Sequence, residues 1–217
     1  MRKLTVENIH QIYTQTIPAH YDRKLGAGFQ EWRARALDAA NLQPGEEVIV
    51  FCCGTGQDFY PILEKIGENG RILGIDFSPQ MLALARKRIE KEGWTNIELL
   101  EADVTEFANR TERFFDAGVC TLGISLIPAY RKAYDNLLSH VKPGGEIIIS
   151  DMHWVGGWRV LFNPWLIRLG REFGTSSRGH RNSQKLLQIM KNELKEVRSG
   201  KFFHDFYFFC VGKKNRP

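Results

Sequence analysis

Long apolar runs are missing. Nowhere do the 217 residues approach the roughly 18–20 consecutive hydrophobic positions that a bilayer-spanning helix needs. Met1-Arg2-Lys3-Leu4 leads into polar residues rather than a secretory core, so the expected compartment is the cytoplasm. Cysteine is scarce: Cys52, Cys53, Cys120 and Cys210 form no Cys-x-x-Cys pair and no histidine cluster accompanies them. Neither a disulfide framework nor a zinc site is expected, and no other metal is. A Gly-Lys-Ser/Thr triplet is absent, which excludes a nucleoside-triphosphate P-loop. Lys and Arg do not interleave with aromatics in an RNA- or DNA-reading pattern, so no nucleic-acid partner is expected. No linker-like stretch divides the chain, and 43% hydrophobic with 25% charged residues describes one globular domain.

What is present begins at Glu47. The run Val48 to Cys53 is short, apolar and rich in β-branched residues, which fits a strand buried on both faces of a parallel sheet. It stops at Gly54-Thr55-Gly56, a turn without Cβ atoms at two positions, where backbone N–H groups can approach a ligand beside a helix N-terminus. A dinucleotide fingerprint needs a third glycine three residues after Gly56, and Phe59 stands there. A second apolar run, Ile72 to Ile75, ends in Asp76, whose carboxylate can accept both hydroxyls of a ribose. A glycine turn and an acid at a second strand end together indicate a nucleoside without a diphosphate.

Five segments in order resemble the class I S-adenosylmethionine-dependent methyltransferases. They are Val48 to Gly56, Ile72 to Leu82, Leu100-Glu101-Ala102-Asp103-Val104, Phe115 to Cys120, and Val141 to Glu146. The pattern is nearest to enzymes that methylate quinone precursors or phospholipid amino groups. The family usually has an acid at the position of Val50 and a glycine at that of Cys52. The resemblance implies an α/β fold: a Rossmann-like, seven-stranded, mostly parallel sheet with a C-terminal antiparallel hairpin and helices on both faces. It implies S-adenosyl-L-methionine as cofactor, with S-adenosyl-L-homocysteine as product. The carried-over cofactor positions are Cys53, Gly54, Thr55, Gly56, Asp58, Asp76, Phe77, Met81, Asp103, Val104, Cys120 and Thr121. Leader helices in this family fold over the cofactor, which adds Tyr13 and Tyr21.

Organisation around that core follows from the punctuation. Residues 1–42 are expected as a helical lid, with Leu4 to Tyr21 and Phe29 to Ala40 helical. Residues 45–151 form the cofactor core, 152–185 a substrate-side insertion, and 186–217 the last helix and hairpin. Ser78 and Pro79 mark a helix start and Gly93 its end. Lys142-Pro143-Gly144-Gly145 reads as a sharp turn before a fifth strand at Glu146 to Ser150, Gly174 to Asn182 as a polar loop, and Gly200-Lys201 as the hairpin turn.

The insertion carries three of the five tryptophans, Trp154, Trp158 and Trp165, beside Arg159, Arg168 and Arg171. Residues 152–217 hold 13 Lys+Arg against 4 Asp+Glu, whereas residues 1–151 hold 17 against 21. Segment 154–171 is compatible with a lid packed on the core, a homodimer contact, or a peripheral contact with the inner face of a membrane. A small or lipid-like acceptor is expected. His153 just past strand five is the first candidate base and Tyr21 the second. A non-catalytic nucleoside-binding module and a dinucleotide-dependent oxidoreductase are the competing readings.

Overall fold

The computed structural model describes residues 9, 11–16, 22, 27–107, 112–153, 155 and 157–215. Seven strands form one sheet: β1 (Glu47–Phe51), β2 (Arg71–Asp76), β3 (Ile97–Glu101), β4 (Phe115–Thr121), β5 (Val141–Met152), β6 (Lys195–Phe202) and β7 (Tyr207–Lys213), in spatial order β3-β2-β1-β4-β5-β7-β6. The first five are parallel, and β7 inserts antiparallel between β5 and β6. The expected architecture is therefore the observed one. Val48, Ile49, Val50 and Phe51 are wholly buried, as a central strand covered on both faces requires.

Helices cover both faces because each presents an apolar stripe to the sheet. On one side lie α1 (Ala27–Asp38), α2 (Phe59–Ile66) and α3 (Pro79–Glu92), which contribute Leu37, Ile62 and Leu82 to a shared cluster with Val48 and Val50. On the other lie α4 (Tyr130–Ser139) and α6 (Ser177–Glu193), which bring Tyr134, Leu137, Leu186 and Met190 against Ile49 and Phe51. Between them in sequence, α5 (Asn163–Leu169) follows a 3-10 segment, Gly157–Phe162. The α3 boundaries follow the expected chemistry: the Ser78 hydroxyl accepts from Met81 N–H at 3.2 Å, Pro79 opens the helix, and Gly93 ends it at φ 70°.

Three local expectations are corrected. The hairpin turn is Phe203 to Phe206, not Gly200-Lys201, and Gly200 lies inside β6 opposite Phe209. A Cβ at Gly200 would stand 2.4 Å from the Phe209 ring, so this glycine serves an aromatic lying across the strand rather than a turn. Residues 177–182, expected within a loop, are the first turns of α6. Ser176 caps it by accepting from Gly179 N–H at 3.0 Å, and Gly179, His180 and Ser183 are buried. Finally, β5 starts at Val141 and loops residues out between its pairs with Phe115 and Ala117, so the Lys142–Gly145 turn is a bulge within the strand. Of the expected leader helix Leu4 to Tyr21, the described part is a single π turn, Ile12–Thr16; the rest lies outside the described residues apart from Ile9 and Gln11.

That bulge is closed by two backbone bonds, Gly144 N–H to Lys214 O at 3.0 Å and Lys214 N–H to Gly145 O at 2.8 Å. A Cβ at Gly145 would lie 2.4 Å from the Asp116 carbonyl oxygen, a backbone atom that cannot step aside alone. Gly145→Ala is expected to lower the free energy of unfolding by about 1–3 kcal/mol in urea titrations, with an unchanged m-value.

Candidate functional site

Strand order reverses direction between β1 and β4, and at this point the carboxyl ends of the parallel strands leave a crevice. A cavity of about 350 Å³ fills it. Its wall is built strand end by strand end: Cys52 and Gly54 after β1, Asp76 and Phe77 after β2, Glu101 to Thr105 at β3, and Thr121 to Gly123 at β4. Met81 from α3 and Ile9 and Tyr13 from the leader close it.

Asp76 is the polar centre of this wall and only 6% exposed. One carboxylate oxygen accepts from Gly54 N–H and the other from Ser78 N–H, both at 2.9 Å. Each oxygen keeps a lone pair for a further donor. Burial pushes the Asp76 carboxyl up to about 6, against the opposing pull of those backbone donors. A diol that donates to both oxygens would replace the water this carboxylate has lost. Asp103 uses Oδ1 to cap the following 3-10 turn, accepting from Thr105 N–H at 2.7 Å and Thr105 Oγ1 at 2.8 Å, while remaining on the wall beside buried Val104. Asp76, Glu101 and Asp103 make the wall acidic, which suits a cationic ligand. The arrangement therefore fits an adenosyl sulfonium: acceptors for the sugar, apolar Phe77, Met81 and Val104 for a flat ring, and negative charge for the sulfur.

The leader is fastened across the opening. Ser78 Oγ donates to Tyr13 O at 2.9 Å, and Tyr13 Oη donates to Phe173 O at 3.2 Å. Ile12 packs on Met81, and the Tyr13 ring meets Phe77 edge-on at 6.5 Å.

Gly54, Asp76, Phe77, Met81, Asp103, Val104, Thr121 and Tyr13 thus line the cavity, and five other expected positions stand behind it. Thr55 donates through Oγ1 to Asp22 at 2.6 Å, and Arg88 bridges Asp22 and the Thr55 carbonyl, so this residue anchors the loop from outside. Asp58 is buried, accepts from Thr121 Oγ1 at 2.5 Å and pairs with Arg33 at 3.5 Å, which uses its carboxylate away from the wall. Cys53, just past β1, and Cys120, within β4, are buried. Gly56, at φ 77°, faces the Phe59 ring, which a Cβ would meet at 2.6 Å. The same ring lies 2.9 Å from a Cβ built on Gly74. Phe59 is nested between two glycines, filling the space where a dinucleotide fold needs close helix-to-strand approach, and this argues against the oxidoreductase alternative.

Of the two candidate bases, His153 alone falls among the described residues. Tyr21 lies outside the described residues. His153 is buried with its ring edge-on to Phe208 at 5.8 Å, and it borders neither this cavity nor the next. The reason is local: β5 continues through Met152, so alternation turns Met152 to the acceptor side and His153 away from it.

Several wall residues carried little sequence signal. Cys52 sits at φ 54°, a left-handed conformation that costs an L-residue about 1 kcal/mol or more. Leu126, Pro128 and Ala129 reach the wall through the turn before α4. A second cavity, of about 200 Å³, adjoins the first through Tyr13, Leu122 and Leu126, which line both. Its remaining wall is Phe29, Met152, Leu166, Gly170, Phe173, Thr175 and Phe206. Among the described residues, the polar side-chain groups there are the hydroxyls of Tyr13 and Thr175. Thr175 Oγ1 is buried with no hydrogen-bond partner among the described residues.

Comparison with known proteins gives the family. Residues 3–160 match the ubiE/COQ5 methyltransferase family. A demethylmenaquinone methyltransferase of Listeria welshimeri is 27% identical over 180 residues, covering 80% of this chain and 75% of that protein. Among solved structures, phosphoethanolamine N-methyltransferase 2 of Haemonchus contortus, in complex with S-adenosyl-L-methionine, superposes with a TM-score of 0.72 at 15% identity, over 100% of this chain and 61% of that one. An rRNA methylase of Streptococcus thermophilus gives 0.57 at 13% identity, over 86% and 94%, a likeness of fold alone. The chain belongs to the ubiE/COQ5 methyltransferase family and is a class I methyltransferase that uses S-adenosyl-L-methionine.

Proposed function

We propose that the acceptor is a flat, apolar, hydroxylated ring of the quinone-precursor type, held in the second cavity. The observation that carries this is the neck: Tyr13, Leu122 and Leu126 wall both cavities, so a group in one faces a group in the other across three side chains. The apolar wall and its two hydroxyls favour such a ring over a charged head group. The curated relative named for demethylmenaquinone supports the same choice. Work at the cytoplasmic face of a membrane belongs to this proposal.

The cofactor supplies a methyl group already activated by a positively charged sulfur. The protein's part is alignment and exclusion of water. Asp76 holds the sugar hydroxyls, Asp103 and Val104 the ring edge, and Phe77 and Met81 its faces. Residues 1–42 act as the lid, with Tyr13 bridging its main chain to Ser78 and its hydroxyl to Phe173. From the substrate-side insertion 152–185, Met152, Leu166, Gly170, Phe173 and Thr175 wall the acceptor side, where Thr175 Oγ1 is positioned to bond a ring oxygen. Leu122 and Leu126 keep the transfer line dry. With His153 off the wall, proton removal from the acceptor falls to solvent at the cavity, to an acceptor hydroxyl that is already ionised, or to Tyr21, the second candidate.

The direct test is transfer from labelled S-adenosyl-L-methionine to a demethylated, water-soluble naphthoquinol; no labelled product would overturn the acceptor assignment. Leu166→Trp, which fills the second cavity alone, is expected to raise the acceptor KM about tenfold while leaving the calorimetric Kd for S-adenosyl-L-homocysteine unchanged. His153→Gln should keep both kcat and its pH profile, since the imidazole borders neither cavity.

Asp76 sets a pH dependence. A ribose diol donates to the ionised carboxylate, so the ligand binds the deprotonated form, and protonation near pH 6 removes that acceptor. The Kd for S-adenosyl-L-homocysteine is expected to be flat above pH 7 and to rise progressively as pH falls through about 6. Asp76→Asn should weaken binding about 100-fold and flatten that profile, read by titration calorimetry on a variant whose circular dichroism is native.

A further inference from the structure

We propose that the segment from Gly157 to Leu169 and the turn at Phe203 form a docking face for an anionic lipid surface, placed around the acceptor cavity. This rests on the acceptor assignment above only for its purpose, and adhesion itself is independent of which ring is methylated.

Exposed large hydrophobic side chains are concentrated. Of seven such residues among the described ones, Val160, Leu161, Phe162 and Trp165 lie on this one segment and Phe203 on the β6–β7 turn, with exposures from 49 to 80%. Water exposure of this much contiguous apolar sequence is costly unless another phase covers it. The same two segments supply the acceptor cavity: Leu166 belongs to α5, and Phe206 closes the turn that carries Phe203. Leu166 contacts the cavity while its neighbour Trp165 is 57% exposed, so α5 shows the apolar interior on one side and an aromatic to solvent on another. The helix is seven residues long and follows a 3-10 stretch, too short to span a bilayer and suited to lying within its interface. Among the described residues no helix is long and apolar enough to cross a membrane.

Charge selects the partner. Residues 152–185 hold six Lys+Arg and one acid, a net charge of +5, which equals that of the whole chain; the other residues carry 24 of each sign. Arg168 stands one turn from Trp165 on α5, and Arg178, Arg181 and Lys185 follow on α6, all exposed. Tryptophan and phenylalanine beside arginine match a headgroup region in which rings enter the boundary and cations meet lipid phosphates. A second copy of this chain would bring the same positive charge against itself.

Cosedimentation of the 217-residue chain with vesicles tests this, comparing phosphatidylcholine alone with an equimolar mixture of phosphatidylcholine and phosphatidylglycerol. Binding to the mixed vesicles, little to the neutral ones, and weakening with added salt are expected. The paired change Leu161→Asp and Trp165→Asp should reduce that binding by about tenfold or more. It should leave the Kd for S-adenosyl-L-homocysteine and transfer to a water-soluble naphthoquinol unchanged, which separates loss of docking from loss of the acceptor site. Absence of the protein from anionic vesicle pellets would overturn the proposal, as would equal, salt-insensitive binding to both vesicle types. A concentration-dependent dimer that Trp165→Asp abolishes, without vesicle binding, would identify the face as a self-association surface and overturn it too.

Discussion

The site depends on one carboxylate that ties two strand exits together. Asp76 stands at the end of β2 and accepts one N–H from Gly54, in the turn after β1, and one from Ser78, at the start of α3. These are charge-assisted bonds in a buried setting, each worth about 1.5–3 kcal/mol. Without them the turn at Gly54 and the cap at Ser78 would be free to separate, and the crevice between β1 and β4 would lose its floor. The same carboxylate is the acceptor proposed for the ribose. Scaffold and recognition are therefore carried by different lone pairs of the same two atoms, and the raised pKa follows from the burial that both duties require.

Around that point the polar groups behind the wall are committed to one another. Asp58 takes Thr121 and Arg33, Asp22 takes Thr55, Gln57 and Arg88, and Asp151 takes the Ser125 hydroxyl and N–H at 2.8 Å each. Each set joins a strand end to a neighbouring loop. Asp151 holds the turn that carries Leu122 and Leu126 toward the neck, although burial pushes its carboxyl up to about 6 as well. Polar side chains here fix positions, and the surface left to the second cavity is correspondingly apolar.

Legibility in the sequence followed the range of the interaction. Asp76, Ser78, Pro79 and Gly93 could be placed because their work is done within a few residues: a strand end, a cap, a first turn, a left-handed stop. The five parallel strands were legible as apolar runs between glycine and proline punctuation. Roles that depend on distant partners were not. Thr55 and Asp58 sit in the right loop, but their side chains answer to Asp22 and Arg33, which no local pattern announces. The second cavity draws on Phe29, Leu122, Met152, Leu166, Thr175 and Phe206, brought together only by the fold. Gly200 read as a turn because glycine usually is one, whereas its reason is the ring of Phe209 across the strand.

Phe59 has a consequence for how such a chain can change over generations. Its ring occupies the hollow left by Gly56 on one side and Gly74 on the other, so the three positions are mutually conditional. A larger residue at either glycine collides with the ring, and trimming the ring leaves a void in the core worth several kcal/mol, on the order of 3–5. Single replacements at any of the three pass through a defective ancestor, so a lineage that reached this trio has no easy step-by-step road toward a different nucleotide partner.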